Sequence, residues 1–181
     1  MKKNLISALF TLSVAAISCT GSDDATPVQL REEALISIRN IEQQILEKEG
    51  FTPDTPRIEE LCRLMLTYVR NNPEDSNVPE MLFKAGELSA AVGQYDRALN
   101  MLGRVYSDFP QYDKHVESLY LSAFIYETNL GDKARAEEAY KKIIDKHPRH
   151  EMAIQAAAAL DVLYLSDEEL LQRLGRGAAL Q

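Results

Sequence analysis

Three prolines spaced at near-equal intervals constrain this chain more than any other feature. Pro73, Pro110 and Pro148 stand 37 and 38 residues apart. Leu61, Ala98 and Ala136 lie twelve residues before them, Met65, Leu102 and Tyr140 eight before, and Tyr68, Val105 and Ile143 five before. Those offsets put apolar residues at i, i+4 and i+7, one face of an α-helix. Proline then ends each helix, because it lacks an N–H and restricts the residue ahead of it. A second apolar-periodic stretch precedes each of the last two helices: Met81, Leu82, Ala85 and Leu88 in one, Leu119, Tyr120, Ala123, Phe124 and Ile125 in the other. Gly93 and Gly131 follow these stretches, where a left-handed residue closes a helix. The unit reads helix, tight turn, helix, proline turn.

The flanks extend the pattern. Leu30, Ala34, Ile38, Ile41 and Ile45 predict a helix from about Gln29 to Lys48, ended by Gly50 and a turn over 51–54. Thr55 is expected to cap the next helix, with Pro56 at its first position. At the other end, Met152 to Leu165 reads as one more first helix with Ala156–Ala159 at its packing centre. Ser166 and Glu169 have capping-box spacing and open a short helix, Asp167 to Leu174. This helix is expected to cover the exposed apolar face that ends a repeat array. The repeat domain then spans 29–174, and 175–181 is expected to be a fraying, disordered tail.

Leu82-x₂-Ala85-Gly86 with Ala98-x₃-Leu102 and Pro110, and Tyr120-x₂-Ala123-Phe124 with Ala136-x₃-Tyr140 and Pro148, resemble the tetratricopeptide repeat (TPR). The resemblance implies an all-α fold, a right-handed TPR superhelix of about three helical hairpins plus a C-terminal capping helix. Small residues at Ala85, Gly86, Ala98 and Ala136 let paired helices approach closely. The chain departs from the usual pattern in having no Trp, in Phe124 where the small residue is expected, and in Ser89 and Glu127 where an aromatic is usual. Long links such as 110–115 are similar to those of the periplasmic TPR lipoproteins of the BamD and YbgF kind. That resemblance implies a protein–protein interaction scaffold or adaptor, with a subunit of an outer-membrane assembly machine as the alternative. A carbohydrate-binding lipoprotein is a further one.

The N-terminus has its own logic. Met1-Lys2-Lys3-Asn4 is a basic start, Leu5 to Ile17 a mostly apolar run without charge, and polar residues from Thr20 make the run too short to span a bilayer. Residues 1–18 therefore read as a signal peptide. Ala16-Ile17-Ser18-Cys19 resembles a bacterial lipobox, which implies that Cys19 becomes the acylated first residue and 19–28 a flexible tether. Ordinary signal cleavage with an incidental Cys19 is the alternative. Ser22-Asp23-Asp24 resembles the surface-export signal of some Bacteroidota lipoproteins and reads equally as a solvated acidic tether. The expected location is the outer membrane, facing the periplasm or the cell surface.

With 20 Lys+Arg against 28 Asp+Glu, the net charge of -8 argues against nucleic acid as a partner. The expected partners are envelope proteins, with the membrane reached through the lipid. Phosphate-loop, nucleophile-elbow, zincin and calcium-loop motifs are missing from the sequence, so neither catalysis, cofactor nor metal is expected. His115, His147 and His150 read as exposed link residues, and Cys62 as a buried, inert thiol. Adjacent carboxylates at Glu59–Glu60, Glu137–Glu138 and Glu168–Glu169 point about 100° apart on their helices and are solvated faces. The tyrosines are mostly at core periodicity. What remains is the concave side of the array: Phe83, Lys84, Glu87 and Ala90 on one helix, and Leu121, Ser122, Ile125 and Thr128 on the next. These eight form a mildly apolar groove for a partner, unless neighbouring repeats cover them.

Overall fold

The computed structural model describes residues 26–47 and 54–178. Within them lie α1 (Pro27–Leu46), α2 (Thr55–Asn71), α3 (Val78–Ala91), α4 (Tyr95–Asp108), α5 (His115–Phe124), α6 (Lys133–Lys146), α7 (Glu151–Val162) and α8 (Asp167–Ala178). Consecutive helices from α1 to α7 pack on one another, and α5 also meets α7. The architecture is all-α, a solenoid of stacked hairpins α1/α2, α3/α4 and α5/α6 followed by α7 and α8. The signal segment, Cys19, Gly50 and the turn over 51–53 lie outside the described residues. Pro27 and Val28, expected in the tether, open α1 instead.

The proline-anchored stripe is the core. Leu61, Met65, Tyr68, Ala98, Leu102, Val105, Ala136, Tyr140 and Ile143 are each exposed by 1% or less. At about 1.5–3 kcal/mol per large buried apolar side chain, this stripe is the main force holding the hairpins together. Two clusters result: one between α1 and α4, which Ile125 joins from the helix after α5, and one between α5 and α7. Close approach inside a hairpin is visible at Gly86, where a Cβ would stand 2.9 Å from Leu102 Cγ.

Two left-handed glycines close the tight turns, Gly93 at φ 78° and Gly131 at φ 65°. In the first turn the Gln94 N–H donates to the Ser89 carbonyl (2.8 Å); in the second the Asp132 N–H reaches back to Tyr126 (2.8 Å), one residue further. The extra residue is taken up by a π-helical turn over Ile125–Asn129, in which the Leu130 N–H donates to Ile125 (3.1 Å). The single helix expected over this stretch is therefore α-helical to Phe124 and wider beyond it. The wider turn places Glu127 against the Tyr140 hydroxyl, 2.7 Å away.

The helix starts differ in detail from the sequence reading. Thr26 opens α1 with a capping box, its hydroxyl accepting from the Gln29 N–H (3.3 Å) and Gln29 Oε1 from the Thr26 N–H (2.8 Å). Asp54, not Thr55, is the cap residue of α2, because the Ile58 N–H already bonds the Asp54 carbonyl (2.9 Å). His150 caps α7, its Nδ1 accepting from the Met152 N–H (3.2 Å). The Ser166–Glu169 capping box opens α8 as expected.

Two expectations at the C-terminal end need correction. The helix opened at Asp167 runs to Ala178, so residues 175–178, assigned to the tail, are helical. Of the alanines expected at the packing centre of α7, Ala156 is buried, but Ala157 and Ala158 are exposed. Ile154 remains 76% exposed and Leu171 69%, so α8 covers the end of the array incompletely. Arg173 holds α8 to α7 through the Asp161 carbonyl (3.1 Å) and carboxylate.

Candidate partner-binding groove

First helices of successive hairpins lie side by side, and between α1 and α3 they leave a groove of about 510 Å³. Ile45 of α1, Leu61 of α2, and Leu88 and Ala91 of α3 give it an apolar floor, with Leu46 of α1 at its mouth. Glu42, Lys84 and Glu87 stand along it. A volume of this order falls within the range of ligand-binding pockets, about 300–1,000 Å³.

The charges in the groove are unequally satisfied. Lys84 Nζ is held by Glu42 (3.0 Å) and by Glu80 (3.1 Å). Burial works against its charge, and the two carboxylates outweigh that and raise its pKa. Glu87 is in a different position. Loss of solvent raises its carboxyl above the usual range, with Lys114 and Lys84 opposing and Glu117 reinforcing the shift. Tyr112, close by, is pushed up to about 12, first by burial and then by the field of Glu80, Asp113, Glu87 and Glu117. This part of the surface is anionic.

Of the eight residues expected on the groove, Lys84 and Glu87 line it, and Ala90 is half-buried on the same helix. Phe83 is corrected to the core at 1% exposure. The link after Pro110 folds back over it: the Tyr112 ring meets it edge-on at 6.3 Å, and the Lys114 ammonium lies 4.8 Å from its ring centroid. Ser122 and Ile125 are buried as well, the Ser122 hydroxyl donating to the Ser118 carbonyl (2.9 Å). Leu121 is half-buried against the first core cluster, and Thr128 is exposed with its hydroxyl on the Phe124 carbonyl (2.8 Å). The groove thus belongs to α1 and α3 and does not continue across α5. Sequence reasoning missed the α1 side, Glu42, Ile45 and Leu46, although the stripe of α1 had named Ile45.

A second cluster was not foreseen. His115 and His147, read as exposed link residues, are half-buried and meet with ring centroids 5.2 Å apart. Tyr106 stacks on His115 at 6.2 Å, and its hydroxyl lies 3.3 Å from His147 Nε2. The Lys142 ammonium lies over the Tyr106 ring, 4.6 Å from its centroid. His115 Nδ1 is 2.9 Å from the Tyr112 carbonyl. Among the described residues, no group of three or more His, Cys, Asp or Glu side chains could hold a metal ion. Cys62 is buried, its Sγ 3.8 Å from both the Ala85 carbonyl and Ser89 Oγ, and burial raises its thiol pKa. The serine at the position where an aromatic is usual is thus a direct neighbour of that thiol.

The two hairpins α3/α4 and α5/α6, each closed by a proline link, are the part of the array that a known family resembles. Residues 80–112 and 117–150 match the family model described as Tetratricopeptide repeat. The first match covers most of α3 and all of α4, and the second most of α5 and all of α6. These two hairpins are similar to tetratricopeptide repeats, and the groove lies between the first of them and α1, with Lys84, Glu87, Leu88 and Ala91 inside the matched segment. Curated proteins give no match to the chain. TPR hairpins characteristically serve as surfaces for protein partners, and stacked repeats of this kind offer extended binding faces. Among the described residues no helix is long and apolar enough to cross a membrane.

Proposed function

We propose that this chain is a non-catalytic adaptor of the bacterial cell envelope, anchored in the outer membrane by acyl chains on Cys19 and holding a protein partner in the groove between α1 and α3. The observation that carries the interaction reading is the pair of matched TPR hairpins beside a groove with an apolar floor and charged walls. The anchor reading is supported by the basic start, the apolar run over 5–17 and the Ala16-Ile17-Ser18-Cys19 boundary. Each buried CH₂ contributes about 0.8 kcal/mol, so two or three acyl chains hold a protein at a membrane where a single chain does so only marginally.

Membrane fractionation of cells carrying Cys19→Ala, with metabolic labelling by a palmitate analogue, tests the anchor. The variant is expected to lose the label and leave the membrane pellet. A variant still labelled and still sedimenting with membranes contradicts it. Crosslinking with mass spectrometry in the native envelope tests the adaptor role, with a reproducible protein partner expected.

A further inference from the structure

We infer that the groove between α1 and α3 selects a cationic amphipathic segment of its partner, seating an apolar side chain on Ile45, Leu88 and Ala91 and a Lys or Arg against Glu87. The inference rests on the reading of the chain as an interaction module and adds the chemistry of what it holds. Leu46 projects at the mouth of the groove, 84% exposed, and offers apolar area to whatever enters. The polar groups then decide which apolar segment is admitted.

Lys84 is spoken for, since two carboxylates already hold its ammonium at 3.0 and 3.1 Å. Its ammonium is committed to those two carboxylates, and only its longer-range field reaches Glu87. Glu87 is the reverse. Among the described residues no hydrogen bond or ion pair reaches its carboxylate, and the nearby Lys114 is seated on the Phe83 ring. Glu87 is exposed to water in the free chain, and any segment that covers the floor strips that water from it. Burying a carboxylate without a partner is costly, and burying it against a well-placed cation recovers much of that cost. Glu117 adds its negative field to the same spot. An acidic segment therefore meets repulsion and a neutral one leaves Glu87 stranded, so specificity comes from what the groove penalises as well as from what it attracts.

The test uses the soluble body from Thr20 onward, which contains every described helix, and three labelled 14-residue peptides with one leucine pattern. Their polar positions are filled by lysine, glutamine or glutamate, and binding is read by fluorescence anisotropy. The lysine peptide is expected to bind at least tenfold more tightly than the glutamine peptide, and the glutamate peptide most weakly. Glu87→Gln is expected to bring the lysine and glutamine peptides within about twofold of each other. Glu151→Gln, which removes the same charge at an exposed position of α7, should leave the preference intact. Leu46→Ser, at an exposed position where the fold is not at stake, should weaken lysine and glutamine peptides alike. Equal affinity for the two peptides, or equal loss in Glu87→Gln and Glu151→Gln, overturns the inference. An overturned charge preference beside intact crosslinks from the groove in cells leaves the adaptor reading standing and removes only this one.

Discussion

The Tyr140 hydroxyl donates a 2.7 Å hydrogen bond to Glu127, joining the π-helical end of one repeat helix to the core of its partner. Tyr140 is fully buried, and burial together with Glu127 raises its pKa. A buried hydroxyl left without an acceptor costs about 1–3 kcal/mol. Glu127→Ala is accordingly expected to lower stability by about that amount in urea titration. Adding Tyr140→Phe removes the stranded hydroxyl and should restore part of the loss. An unchanged midpoint for Glu127→Ala contradicts this role.

Small residues set how closely α3 and α4 pack. A methyl at Gly86 stands 2.9 Å from Leu102 Cγ, and Ala98 is fully buried in the same interface. Gly86→Ala forces Leu102 to move, and Ala98→Leu has no room to enlarge into. Overpacking of this kind costs about 1–3 kcal/mol, and each kcal/mol lowers the melting midpoint of a domain this size by about 2–4 °C. Wild-type melting in Ala98→Leu would count against the pairing of these helices.

His147 makes stability depend on pH. Loss of solvent, with His115, His150 and Lys142 adding to it, lowers the pKa of its imidazole below the ordinary value. A base that is harder to protonate in the folded chain contributes its full stability above the unfolded pKa, about 6.5, and loses it as pH falls through the folded value. The melting midpoint is therefore expected to drop between pH 7.5 and 5.5, and His147→Gln should make the drop smaller. An equal drop in the variant contradicts the assignment.

Cys62 should behave as packing. Its burial and raised pKa keep the thiol protonated and out of reach. In Cys19→Ala chains, where it is the one remaining thiol, Cys62 is expected to react with a thiol reagent only when the chain opens. Labelling in native buffer as fast as in urea would contradict this.

Much of the fold was legible because helix periodicity and proline punctuation report on the same surface. The nine stripe positions, the two left-handed glycines and the Ser166–Glu169 box all follow from local rules. The site was less legible. Periodicity placed Phe83 on an open face, but could not show that Tyr112 and Lys114, in a link with no period of its own, return to cover it. Ser122 and Ile125 were hidden by neighbouring repeats for the same reason, a contact between elements distant in sequence. His115 and His147 are 32 residues apart, and only the stacking of hairpins brings their rings together.

Photo-crosslinking from single positions in the native envelope tests the central claim most directly. A photoreactive residue at Leu46 or Ala91 faces the groove, and one at Arg104 or Lys141 lies on the exposed surface of α4 or α6. The account predicts adducts to one recurring protein from Leu46 and Ala91, and none from Arg104 and Lys141. Adducts confined to Arg104 and Lys141, or none from any of the four, would contradict it.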